Sequence, residues 1–284
     1  MANGSATPAE VTLSIAGDSG GAPLAGGACA GYLLRGEGTS ILLDCGPGTV
    51  PNVRSCLDTR MLDGIVISHM HSDHWTDLIA LNIALRMEEF TTEPKAPARR
   101  IPVWLPPGGA ETAEAVFRAL TVNVRGSSAD SFRETLDLHE YDPDTTIRIG
   151  AARVTFVGPT KHSTLCYGMR VELGGLTIGY TGDTAYCPEA IAVGQDTDVF
   201  LAECSLLERG PLSETHISAA ELGEVAALAR CKRLIATHFL RGDEPWRAAL
   251  IERLRRAYAG PLNLVRPRER YVLTEPERPP ASWP

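Results

Sequence analysis

His69-Met70-His71-Ser72-Asp73-His74 directly follows the apolar run Gly64-Ile65-Val66-Ile67-Ser68. Such a run reads as a buried strand, and the turn at its end carries four side chains able to coordinate a metal. Alternation divides them: His69 and His71 point one way and can share an ion, while Asp73 and His74 turn toward a neighbouring position. Imidazole with one carboxylate suits zinc, and manganese or iron also fits. A solvated polar turn is the plain alternative, but three of the chain's seven histidines fall within these six residues. One turn cannot saturate two ions, so the fold has to bring further ligands in from later strand ends.

The whole chain sets wider bounds. Its 284 residues suffice for a substantial core, and 44% hydrophobic with 22% charged residues is ordinary for a globular protein. A formal charge of −8 argues against a large nucleic-acid surface. No basic segment followed by an apolar stretch opens the chain, and no apolar run approaches the roughly 20 residues that span a bilayer. A cytoplasmic protein without membrane contact is the expectation. The seven cysteines are odd in number and lack zinc-finger spacing, so they read as free thiols serving as small apolar fillers.

Residues 1–10 read as a disordered N-terminus, 11–274 as a single domain, and 275–284 as a proline-rich, disordered tail. Val11, Leu13 and Ile15 alternate as a strand should, and a glycine-rich loop spans Gly17 to Gly27. Gly31–Arg35 and Ser40–Leu43 form a hairpin through Gly36-Glu37-Gly38, and Ile65–Ser68 is a further strand. Thr76–Glu89 is helical with Leu78, Ile79, Ile83 and Leu85 inward. Glu111–Leu120 is helical with Ala113, Val116, Phe117 and Leu120 inward. Residues 91–100 read as an exposed loop, and 123–134 lack a period. Short strands then resume, and Ser218-Ala219-Ala220-Glu221 is a capping box that opens a helix. Groups of strands with helices between them, in two comparable halves, predict an α/β fold: two sheets face to face with helices outside, a four-layer αββα sandwich.

Three later residues stand at the exits of apolar strands. His162 lies in Thr160-Lys161-His162-Ser163, Asp183 in Thr181-Gly182-Asp183-Thr184, and His238 closes Leu234-Ile235-Ala236-Thr237-His238. Each alone reads as a structural histidine or a turn aspartate. Their order after the first cluster makes them candidates.

With that order the chain resembles the metallo-β-lactamase fold superfamily, and within it the ribonuclease Z-like branch of phosphodiesterases. The matching segments are Leu43-Asp44-Cys45-Gly46-Pro47-Gly48-Thr49, the HxHxDH cluster, His162 with Tyr167-Gly168, Thr181-Gly182-Asp183-Thr184, His216 with Ile217-Ser218-Ala219-Ala220, and Thr237-His238-Phe239. The resemblance implies two divalent metal ions, one on His69, His71 and His162, the other on Asp73, His74 and His238, with Asp183 between them. It further implies a water activated between the ions, with Asp73 doubling as its acceptor and His216 as the general acid that protonates the leaving oxygen. Glu203, at the end of an apolar strand, is the carboxylate best placed to orient His216 or His238. His139 matches no motif and reads as structural.

The tRNA-processing members of that branch carry a clamping arm between the third histidine and the bridging aspartate. Here only a strand pair separates His162 from Asp183. The chain resembles the compact members, with a Gly-rich first loop and a His-(Leu/Ile)-Ser start to the helix, which include bacterial cyclic-nucleotide phosphodiesterases, and that resemblance implies a cyclic nucleotide or other small phosphodiester as substrate. Hydrolysis of a lactone, thioester or sulfate ester is the alternative, with tRNA 3′-end cleavage behind it. Arg241 and Lys161 are candidates for holding phosphate, and a homodimer is a compatible assembly.

Overall fold

Several strands are buried at every position, which requires cover on both faces of the sheet. The computed structural model describes residues 10–91, 99–121, 131–275 and 279–283. The amino-terminal half contains β1 (Thr12–Gly17), β2 (Gly31–Gly36), β3 (Thr39–Leu43), α1 (Thr49–Cys56), β4 (Gly64–Val66), α2 (Ser72–Trp75), α3 (Leu78–Thr91), β5 (Ile101–Leu105), α4 (Gly109–Thr121), α5 (Ser131–Thr135) and β6 (Leu136–Glu140). Then follow β7 (Thr146–Ile149), β8 (Ala152–Val157), β9 (Gly168–Leu173), β10 (Leu176–Tyr180), α6 (Pro188–Gly194) and β11 (Val199–Glu203). The chain closes with α7 (Ala219–Ala229), β12 (Leu234–Thr237), α8 (Glu244–Leu254), β13 (Leu262–Leu264), β14 (Glu269–Val272) and β15 (Ala281–Ser282).

One sheet has the order β15-β14-β1-β2-β3-β4-β5-β6, the other β13-β12-β11-β10-β9-β8-β7. In each, antiparallel strands give way to parallel ones: β3 to β6 in the first, β10 to β13 in the second. Tyr32, Leu34, Ile41 and Leu43 enter the core between the sheets with Val154, Phe156, Met169 and Val171. The alternate residues Leu33, Leu42 and Ile65 pack outward into a second cluster with Val53, Leu78, Leu81 and Phe117 of α1, α3 and α4. On the second sheet, α6 lies so close that a Cβ on Gly179 would stand 2.5 Å from the Val193 carbonyl oxygen. The layers are those of the predicted αββα sandwich.

Several local expectations are corrected. The short helix α1 is not among the elements expected from the sequence, and its third residue is Pro51. A proline is nevertheless tolerated in a first helical turn, where its missing N–H has no partner to lose. In α3 the buried stripe is Leu78, Leu81 and Leu85, and Ile83 is exposed. In α4, Ala113 and Phe117 are buried but Val116 and Leu120 face outward. The proline-rich tail is not featureless: β15 pairs antiparallel with β14, and Trp283 is buried. Of the aperiodic segment 123–134, residues from Ser131 onward form α5. The rest of that segment, residues 92–98 and the first nine residues lie outside the described residues. The cysteines are free, and all but Cys56 are buried. No helix among the described residues is long and apolar enough to cross a membrane.

Candidate metal centre

Parallel strands release their loops at one edge, and here the loops after β3, β4, β10, β11 and β12 meet at the seam between the sheets. β4 delivers Ser68, His69 and His71, and α2 then carries Asp73 and His74. α2 is pressed against the turn after β3, where a Cβ on Gly46 would lie 1.9 Å from the Asp73 carbonyl oxygen. That contact explains the glycine. β10 leads to Asp183, β11 ends at Glu203, and β12 leads to His238, whose backbone is left-handed at φ 59.

The structure gathers all seven predicted ligands. His69, His71, His162 and Asp183 form one group and Asp73, His74 and His238 another, with the donor atoms of each group within 4.8 Å of one another. Asp183 spans both. Its Oδ1 lies 3.4 Å from His74 Nε2 and 3.3 Å from His238 Nε2, and its Oδ2 lies 3.8 Å from both His69 Nε2 and His162 Nε2.

The outward nitrogens decide which way the lone pairs point. His74 Nδ1 donates to Asp44 Oδ2 at 2.7 Å and His162 Nδ1 to the Thr215 carbonyl oxygen at 2.8 Å. Ser68 Oγ gives its proton to Asp44 Oδ2 at 2.8 Å, so His69 Nδ1, 3.1 Å away, is the donor to that serine oxygen. The inward Nε2 atoms of His69, His74 and His162 are thereby turned toward the centre of the cluster: His74 Nε2 stands 3.2 Å from His238 Nε2, and His162 Nε2 3.0 Å from His71 Nδ1. His69 Nε2 and Asp183 Oδ1 are buried without any hydrogen-bond partner. Facing lone pairs around two carboxylates repel unless positive charge sits among them, so the donor set fits cations.

Protonation agrees. Burial, helped by the charge of His74, holds His69 well below its ordinary pKa, and burial with His162 lowers His71. Burial would raise Asp73 and Asp183, but the surrounding histidines hold both well below the carboxylate range. Burial opposes charge on His74 as well, yet Asp183 and Asp44 raise its pKa well above the ordinary value, so a proton occupies the place a cation would take.

Beside the second group, His216 Nδ1 donates to Glu203, 3.1 Å from Oε1 and 3.3 Å from Oε2. Glu203 also accepts the Thr184 backbone N–H at 2.6 Å and the Ser205 hydroxyl at 2.5 Å, and Ser205 Oγ lies 2.9 Å from His238 Nδ1. Burial alone would lower the His216 pKa, but the hydrogen bond and charge of Glu203 push it up to about 9. His216 can also be grouped with Asp183 and His238 as a ligand set. The His216 atom recorded beside Asp183 is Nδ1, 3.9 Å from Oδ2, and it is already engaged by Glu203.

Sequence reasoning missed Asp44, which looks like the acid of a turn. Fully buried with φ 58, it accepts from Ser68 N, Ser68 Oγ, His74 Nδ1 and Tyr180 Oη at 2.5–2.8 Å. An acid directly after an apolar strand and before Cys-Gly-Pro-Gly was the available signal. The glycine-rich loop also belongs to the site. Gly21 N–H donates to Asp73 Oδ2 at 2.7 Å, and a Cβ on Gly20 would stand 2.6 Å from His238 Cε1. Lys161 pairs with Glu214 and Arg241 with Asp243, so both cations already have carboxylate partners. His139 stacks on Trp104 at 4.7 Å and pairs with Asp137.

Fold and site together define a metal-dependent hydrolase. A family profile described as a beta-lactamase superfamily domain matches residues 39–239, and the chain belongs to that family. It is 28% identical over 227 residues to the probable metallo-hydrolase YhfI of Bacillus subtilis, covering 80% of this chain and 86% of that one. The crystal structure of YhfI superposes with a TM-score of 0.78, at 23% identity, over 93% of this chain and 99% of that chain. Ribonuclease Z of Mycobacterium marinum is 27% identical over 237 residues, 76% of this chain and 83% of that protein. A diphosphatase of the PhnP family shares the fold at 18% identity, with a TM-score of 0.66 over 92% and 96% of the two chains.

Proposed function

We propose that this hydrolase cleaves a cyclic nucleotide or another small phosphodiester, with two divalent cations, zinc by the character of the donors, held by the two groups that share Asp183. The observation that carries the reading is the Glu203–His216 pair, a protonated imidazole at the edge of the ligand cluster. An alkoxide leaving from phosphorus needs a proton, whereas the thiolate of a thioester does not. Two cations in such a site supply a water of lowered pKa and neutralise a phosphoryl oxygen. The chain's own groups do the rest. Asp73, steadied by the Gly21 N–H, offers the acceptor that orients the attacking water. Glu203 keeps His216 charged, and His216 gives its proton to the departing oxygen. Ribonuclease Z among the relatives supports phosphodiester chemistry. Only the β9–β10 strand pair lies between His162 and Asp183, and the charge is −8, which favours a small substrate over tRNA.

The test is a substrate panel run with zinc and with manganese: cyclic nucleotides and bis-para-nitrophenyl phosphate against thioesters and lactones. Phosphodiester turnover is expected. His216→Ala should cost roughly a hundredfold or more on the cyclic nucleotide and far less on the nitrophenyl ester, whose leaving group departs unprotonated. Turnover confined to thioesters or lactones, or an equal loss on both phosphodiesters, would overturn the proposal.

A further inference from the structure

Ser205 lies two residues beyond the last residue of β11 and is buried among groups that the chemistry uses. Its Oγ stands 2.5 Å from Glu203 Oε2, 2.9 Å from His238 Nδ1 and 3.1 Å from the His238 carbonyl oxygen. A hydroxyl has one proton, and the nearest acceptor, a carboxylate, is also the strongest of the three. The proton therefore goes to Glu203. His238 can satisfy Nδ1 only by donating an Nδ1–H to the serine oxygen, which leaves its Nε2 as a bare lone pair 3.3 Å from Asp73 Oδ2 and Asp183 Oδ1.

The geometry points to Ser205 as a positioning residue that lets one carboxylate serve two partners. Glu203 grips His216 directly and, through Ser205, fixes the ring and tautomer of His238 for the cation held by Asp73, His74 and His238. This rests on the two-cation reading above, but its readout is cation binding and does not require that the substrate be a phosphodiester. Without the hydroxyl, His238 is free to carry its proton on Nε2, where it blocks the lone pair. The other group is untouched, since His69 and His162 are anchored by Ser68 and Thr215. Loss of an orienting partner of this kind lowers cation affinity about 10–100-fold.

The experiment titrates zinc into metal-free wild type, Ser205→Ala and Ser205→Thr against a chromophoric chelator, with circular dichroism to verify folding. Wild type and Ser205→Thr should hold two ions per chain. Ser205→Ala should retain one affinity and weaken the other by ten- to a hundredfold, and excess zinc should restore its kcat at unchanged KM. Two unchanged affinities in folded Ser205→Ala, or equal weakening of both, would overturn the assignment. If the split appears while phosphodiesters go uncleaved, the positioning role stands and the substrate reading falls.

Discussion

His216 is charged because a carboxylate outweighs its burial, and the pH dependence of turnover should report that balance. A raised pKa keeps the imidazole protonated below about 9 and strips the proton as pH rises through that value, so the alkaline limb of kcat/KM belongs to this residue. Glu203→Gln keeps the shape but removes the charge, and the limb should move toward the ordinary histidine value by a pH unit or more. A limb that stays in place in a folded variant would show that another group titrates there. At this scale the ligands were legible because coordination admits few residue types and strands release them at predictable places. Asp44 and Ser205 were not, because their importance lies in hydrogen bonds to histidines 30 and 33 positions away. For Asp44 the one local signal was its place between an apolar strand and Cys-Gly-Pro-Gly, and nothing local separates Ser205 from an ordinary turn residue.

The entrance to α7 shows how an element can serve the site. The Glu221 carboxylate accepts from both the backbone N–H and the hydroxyl of Ser218, at 3.1 and 2.6 Å. Ile217, just before the cap, and Leu222 are both buried in the main core, as a hydrophobic staple requires. Cap and staple fix the chain immediately after His216. Ser218→Ala should therefore cost about 1 kcal/mol of stability in urea unfolding, and no loss would mean that Glu221 finds an equivalent donor. The box was legible because it is a local pattern of four residues. The inward faces of α3 and α4 were harder. Both helices carry apolar residues beyond a single stripe, so periodicity could not say that Ile83, Val116 and Leu120 face away from the core.

Across the whole molecule, each sheet supplies part of the donor set: His69, His71, Asp73 and His74 come from the first, His162, Asp183 and His238 from the second. A cation bound among them ties the two halves together and favours the folded chain by mass action. Zinc at a hundredfold excess over its Kd should add about 2.7 kcal/mol per site. A clear rise in melting temperature, reversed by a chelator, would be seen by scanning calorimetry, whereas an unmoved transition would mean that the donors hold no ion. The sandwich was legible because strands come in groups with helices between them, in two comparable halves. The β15 edge was not, since two short residues among prolines carry no period. The left-handed backbones at Asp44 and His238 are turns that glycine would relax by about 1 kcal/mol each. At Asp44, however, glycine would leave buried donors of Ser68, His74 and Tyr180 without an acceptor, at about 1–3 kcal/mol per group. A search for hardier variants would therefore keep this aspartate even if turnover counted for nothing.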